Sequence, residues 1–366
     1  SIIAFSGKKD RMLFGNVLVW LCLFYLATVA LSLTQTDFPR QSYRGLFKVV
    51  RQLLVAFSVC TTLDSEKKIR TFFIGLLWIA FFVGLDALAQ GWLGYDPIAH
   101  RTLTPYLTDT LRLSGPFHHA NDYSAYLTLT LFLMLVWAHR LRRFFSASVS
   151  VFFALSGVLL FYTFFQTYSR GAWVALALGA FVYFVSFARR RFLVLLLGVI
   201  AVGSVFAISP RIRERAVSIF DSTNGTIIGR KELWGESIRM IRKSPVLGLG
   251  VNTYSKNEPL FKAPDSKVDN IYAHNGYLQM GAEIGLLGLF AFLTTMTYIL
   301  IFGAYRLARA PDGFVKWAGL AWLFGALAFL IHSATDTNLQ SLRLVNSLWT
   351  ALGAAWACVR LGRDAS

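Results

Sequence analysis

An all-α, polytopic transmembrane helix bundle is predicted by three observations. Apolar runs of about 20 residues recur along the 366-residue chain, each long enough to cross a hydrocarbon core of ~30 Å. Only 15% of the residues are charged and 55% are hydrophobic, whereas a soluble domain carries about 25% charged residues. The runs are continuous and lack the alternation of a transmembrane barrel strand. Helices meet the demand that every backbone N–H and C=O be paired inside lipid.

Ten spans are expected, over 12–33, 46–62, 71–89, 123–138, 149–168, 172–188, 192–208, 278–302, 315–331 and 346–359. The second is the weakest, since Lys48 and Arg51 lie at its start, and the last is short. The chain starts at Ser1 without a signal-peptide pattern and is expected to be part of a longer protein. Three stretches follow: helices over 1–208, a loop domain over 209–277, and helices over 278–366.

Basic clusters fix the expected orientation. Lys8-Lys9-Arg11, Lys67-Lys68-Arg70, Arg140-Arg142-Arg143, Arg189-Arg190-Arg191, Arg306-Arg309 and Arg360-Arg363 fall at every second connection. Lys and Arg in short loops mark the cytoplasmic side, so both ends of the chain are expected inside. The net charge of +17 therefore has a topological explanation, and nucleic acid is not an expected partner. Cys22, Cys60 and Cys358 all fall in apolar runs, as small packing residues would.

The alternate connections then face outward: 34–45, 90–122, the turn 169–171, the long loop 209–277 and 332–345. The long loop carries eleven Lys/Arg against seven Asp/Glu. Topology does not explain basic charge in a long outward loop, and a basic face beside a membrane suits phosphate-bearing lipid. Within it, 231–243 reads as an amphipathic helix with Leu233, Trp234, Ile238 and Ile241 on one side. Ser244-Pro245 stops it.

Several residues on this side can do chemistry. Arg170 joins two spans with almost no loop; it either snorkels to headgroups or binds an anion at a cavity mouth. Arg230 opens the amphipathic helix, where a helix N-terminus and a guanidinium suit phosphate oxygens. His274 stands where the wet loop meets an apolar span, and imidazole is a general base near neutral pH. Its plain alternative is a structural histidine. Glu283, in the span that follows, needs a partner, and Gly281, Gly285 and Gly288 there allow close helix contact. His118 and His119 suit substrate contact or loop structure better than metal. His332 and Asp336 sit on the same side. No Walker loop, dinucleotide glycine fingerprint, HExxH or D-x-D motif occurs.

Taken in order, these motifs resemble the O-antigen ligase family. They are Gly115-Pro116-Phe117 with Asn121, Tyr168-Ser169-Arg170-Gly171-Ala172-Trp173, Arg230 with Leu233-Trp234, Ser244-Pro245-Val246-Leu247-Gly248-Leu249-Gly250, and His274-Asn275-Gly276-Tyr277-Leu278 with Glu283-Ile284-Gly285-Leu286-Leu287-Gly288. The resemblance implies a metal-independent, cofactor-free, inverting glycosyltransferase of the Gram-negative inner membrane, with its site facing the periplasm. Its donor would be a glycan on undecaprenyl diphosphate and its acceptor a hydroxyl of lipid A–core oligosaccharide. The family's two arginines and histidine fall on Arg170, Arg230 and His274. Ser169, Tyr168, His118, Asn121, Arg211, Arg215 and Tyr277 are the candidate substrate contacts. Glycan polymerases and protein oligosaccharyltransferases share the donor class, and a polyprenyl-glycan transporter is the alternative of another kind. A transporter is expected to carry broken helices near the midplane, and the sequence shows none.

Overall fold

The computed structural model describes residues 17–107, 110–188, 191–218, 221, 225–263 and 272–364. Among these the protein is a helical membrane bundle. The principal helices are α1 (Val17–Ser32), α2 (Pro39–Thr62), α3 (Glu66–Leu93), α4 (Ala120–Val136), α5 (Ala147–Phe165), α6 (Arg170–Phe187) and α7 (Arg191–Ile208). They continue with α8 (Pro210–Val217), α9 (Gly225–Lys243), α10 (Tyr254–Asn257), α11 (Gly276–Arg309), α12 (Phe314–His332) and α13 (Leu342–Asp364). Between α3 and α4 lie two small antiparallel pairs, β1 (Tyr95–Asp96) with β2 (Arg101–Thr102) and β3 (Thr104–Leu107) with β4 (Thr110–Arg112).

Nine helices among the described residues are long and apolar enough to cross a membrane. The described parts of all ten expected runs coincide with helices, residues 12–16 of the first lying outside the described residues; the run over 192–208 forms α7, outside the nine. Helix starts differ most. α2 begins at Pro39, seven residues earlier than expected, since proline at a first helical position costs no hydrogen bond. α9 begins at Gly225 and not at residue 231. Arg230 therefore lies in the second turn, and the expected helix-terminal anion site at that residue is not what the structure presents.

Contacts divide the chain into two compact units. One comprises residues 1–54 and 229–303, the other 55–228 and 304–366. In the second unit α4 and α12 form the centre. The crossing window of α12 is 78% buried and that of α4, extended to Phe144, is 72%, against 33% for α5 and α6. Outer helices present Trp78, Phe82, Leu155, Val158, Leu178 and Phe181 as exposed apolar side chains, as a lipid-facing surface requires. Small residues bring the centre together: a Cβ at Gly179 would press on Phe132 and Ala328, and one at Gly325 on the backbone of Leu129.

One end of this unit gathers the basic connections. Arg70 of α3 reaches Phe144 O and lies 4.7 Å from the Phe314 ring. Arg143 pairs with Asp312 at 2.6 Å, Arg140 donates to Phe187 O at 2.9 Å, and Arg360 donates to Leu63 O at 3.3 Å. Connections far apart in sequence thus share one layer, as the alternation of basic clusters requires.

In the first unit, α11 breaks at Gly285 (φ 69°, ψ 177°). The loop 245–250 enters the break. Leu249 N–H and Gly250 N–H donate to Ala282 O and Glu283 O, both at 2.9 Å, and Leu286 N–H donates to Pro245 O at 2.8 Å. The incoming chain thus satisfies backbone groups that the break frees. A Cβ at Gly285 would collide with the Val246 carbonyl. Gly285 was expected to serve helix contact; it serves a helix break instead, near the start of α11 and away from its middle. Glu283 has the partners it needs: it accepts from Asn252 N–H (2.9 Å), Tyr254 N–H (3.2 Å) and Gln279 Nε2 (3.2 Å).

Candidate active site

The turn between α5 and α6 is held by side chains and backbone from distant parts of the second unit. A helix end leaves its last carbonyls without intrahelical partners. Here three consecutive carbonyls past Phe165 take donors from elsewhere in the chain. Gln166 O accepts Leu113 N–H at 3.1 Å, Thr167 O accepts Arg112 Nε at 2.7 Å, and Tyr168 O accepts Arg215 Nε at 3.1 Å. Tyr168 is left-handed (φ 50°), a conformation that costs a non-glycine residue about 1–3 kcal/mol. Its ring is buried with Phe165 and Ile212, flanked by Phe161 and Trp173, and this packing offsets the strain.

The turn delivers Arg170 as the first residue of α6. Its Nη1 donates to Ser218 O (2.6 Å) and Ser218 Oγ (2.9 Å) at the end of α8. Ser169 is buried, with Oγ 3.5 Å from His332 Nε2. Gly171 is glycine because a Cβ would collide with Thr335 Oγ1 and press on His332. Arg215 is half-buried against the turn, whereas Arg211 is exposed on α8.

A second polar layer lies beside it. Arg112 Nη2 donates to Asn121 Oδ1 at 2.6 Å, and Asn121 Nδ2 donates to the Asp336 carboxylate. Both ends of the Asn121 amide are therefore engaged within the protein. Arg101 bonds Asp96 (2.7 Å), Gly115 O (3.0 Å) and His118 Nδ1 (3.1 Å). His118 and His119 are exposed. Arg112 and Arg101 went unremarked in the sequence. The signal for Arg112 was available: a charged residue in an outward loop, three before Gly115-Pro116-Phe117.

Below the turn is an apolar cavity of about 710 Å³. Gln166, Phe165, Ser209 and Ile212 line it beside the turn; Leu131, Met134, Gly157, Val158 and Leu176 are among the residues that carry it along the helices.

His274 and Arg230 belong to the first unit. His274 is left-handed (φ 47°) and half-buried. Asn275 follows, its Oδ1 accepting Tyr277 N–H (3.0 Å) and Leu278 N–H (3.1 Å) to cap α11. Tyr277 is half-buried in the first turn of α11. Arg170 and His274 thus share a local design. Each adjoins a helix start that follows a left-handed non-glycine residue. On α9, Glu236 is fully buried beside Glu258, and burial first, then the Glu258 charge, pushes its carboxyl up to about 7.

The nine crossing-length apolar helices among the described residues make this a multi-pass membrane protein, and many of its chemistry-capable residues lie at helix starts and connections. Residues 155–293 match the model of the O-antigen ligase family. No curated protein matches the chain. The family is of ligase and polymerase type, acting in the membrane on lipid-linked glycans.

Proposed function

We propose that the protein is a periplasmic-face glycosyltransferase that moves O-antigen glycan from undecaprenyl diphosphate to a sugar hydroxyl of lipid A–core oligosaccharide. The observation that carries this reading is a juxtaposition in the second unit. The strained turn that holds Arg170 and engages Arg215 stands over an apolar cavity of about 710 Å³. Cations above and hydrocarbon walls below suit an amphiphile with an anionic head and an apolar tail. The polyprenyl chain would lie in the cavity, and its diphosphate would meet Arg170, with Arg211 and Arg215 close by on α8.

In the proposed reaction the acceptor oxygen bonds to the anomeric carbon as the bond from that carbon to the diphosphate oxygen breaks. The configuration inverts, the hydroxyl proton passes to His274, and undecaprenyl diphosphate leaves. Arg170 and Arg230 neutralise charge growing on the leaving group, where electrostatic stabilisation is often the largest single contribution. Tyr168 is placed by its buried ring to shape the turn, while Ser169, His118 and Tyr277 are the proposed sugar or phosphate contacts. No metal takes part.

The test is reconstitution. Purified chain in liposomes is given undecaprenyl-diphosphate-linked glycan with lipid A–core, with a second donor molecule, or with a pilin-like protein. Glycan appears on lipid A–core if the reading is right. Product on another acceptor alone reassigns the acceptor, and no product with any acceptor overturns the enzyme. In ligase-null cells, His274→Ala and Arg230→Ala variants are expected to insert normally and to leave surface O-antigen unattached.

A further inference from the structure

Arg170 does its proposed work only if its backbone stays where the turn puts it, and that turn is strained. Tyr168 would gain by leaving the left-handed region. The buried ring opposes this from one side. From the other side comes a chain of three polar groups. The guanidinium of Arg112 donates through Nε to Thr167 O at 2.7 Å and through Nη2 to Asn121 Oδ1 at 2.6 Å. Asn121 in turn donates to Asp336.

Each link has a chemical reason. Arg is planar and presents donors in a fixed fork, so fixing one arm aims the other. Asn121 supplies an acceptor to the cation and a donor to the carboxylate, and so carries polarisation from Asp336 to Arg112. Thr167 immediately precedes the left-handed residue, and its own Oγ1 bonds Phe164 O (2.6 Å) and accepts Ser169 N–H (3.3 Å). The carbonyl that Arg112 holds is the last one before the chain turns over toward Arg170.

We propose that Arg112, braced by Asn121 and Asp336, is a positioning residue that fixes the turn carrying Arg170 and so sets how that guanidinium meets the diphosphate of the donor. This rests on the function proposed above. It gives Asn121 a bracing role in place of substrate contact.

The experiment measures binding of undecaprenyl diphosphate to the full chain in nanodiscs, and transfer from the glycan-bearing donor. The proteins are wild type, Arg112→Ala, Arg112→Lys, Asn121→Ala, Arg170→Ala and the Arg112→Ala/Arg170→Ala double variant. A hydrogen bond from a charged donor is worth about 1.5–3 kcal/mol, roughly tenfold or more in an equilibrium, so Arg112→Ala is expected to weaken binding or transfer about 10-fold or more. Arg112→Lys keeps the charge and loses the fork, and is not expected to rescue. Asn121→Ala, which leaves Arg112 in place, is expected to show a smaller loss in the same direction and keeps the test alive if Arg112→Ala does not fold. The deciding readout is coupling: a residue that acts through Arg170 adds little once Arg170 is gone. Multiplying losses in the double variant, or wild-type binding and transfer in both Arg112→Ala and Asn121→Ala, overturn the bracing role and leave the transferase standing. Wild-type behaviour of Arg170→Ala overturns the proposed role of Arg170 itself, and the bracing role with it.

Discussion

The two ends of the second unit use arginine in opposite ways. At the basic end the arginines spread over separate connections and reach carbonyls, carboxylates and aromatic faces; Arg70 bonds Phe144 O and Glu66 and lies over Phe314. Arg143 and Asp312 are both about half exposed, and Arg140 lies 4.7 Å from the Trp317 ring. At the other end, Arg112, Arg170 and Arg215 surround a single turn, and two of them bond its consecutive carbonyls. The first arrangement distributes positive charge over several connections. The second needs a guanidinium at a defined place. Charge is spread over a layer at one end, and two guanidinium groups hold one backbone turn at the other.

Substitutions can break this contrast. The largest effect is expected at Arg170. Arg170→Ala should lower the transfer rate by about 10²–10³-fold, the usual cost of a lost electrostatic donor. Arg143→Ala should leave the rate within about a factor of two, because exposed pairs are worth little. Equal losses in initial-rate assays would erase the distinction.

Glycine substitution tests packing at the turn. Gly171→Ala forces Thr335 aside, and overpacking of this kind costs about 1–3 kcal/mol. Gly75 in α3 meets nothing within 4 Å, so Gly75→Ala should be neutral or stabilise by up to about 1 kcal/mol. Unfolding midpoints in detergent would show whether the two differ in sign.

Titration extends the contrast to the first unit. Burial raises the Glu236 carboxyl to about 7, so the folded chain holds a proton there that the unfolded chain releases near 4.5. Stability from this residue is full below about 4.5 and falls as pH rises toward 7. Glu236→Gln should remove that fall, which stability measured from pH 4 to 8 would reveal.

Asp312 has the opposite sign and the smallest effect. Its hydrogen bond from Arg143, then that from Trp317, hold its carboxyl below the usual range. Its contribution is present above about pH 4 and is lost as pH falls through the depressed value. Because the pair is solvated, Arg143→Ala should change it by less than about 1 kcal/mol.

The helices were legible in the sequence because a span of lipid demands length and apolarity, and these survive in any order of residues. Their starts were less so. Residues 39–45 are polar, yet Ser42 is fully buried and Gly45 would press Asn252 and Val251 if it carried a Cβ, so α2 extends through them. The turn at Ser169-Arg170-Gly171 could be read from its shortness. Its bracing could not, since Arg112 and Arg215 lie 55 and 47 residues from the carbonyls they hold. The break at Gly285 was hidden for the same reason: Glu283-Ile284-Gly285-Leu286 reads as a smooth helix until the loop at 245–250 arrives to fill the gap.

The measurement that tests the central claim most directly is release of undecaprenyl diphosphate by purified protein in liposomes, with and without lipid A–core. The account predicts acceptor-dependent release by wild type and Arg143→Ala, and almost none by Arg170→Ala. Release by Arg170→Ala at the wild-type rate would contradict it.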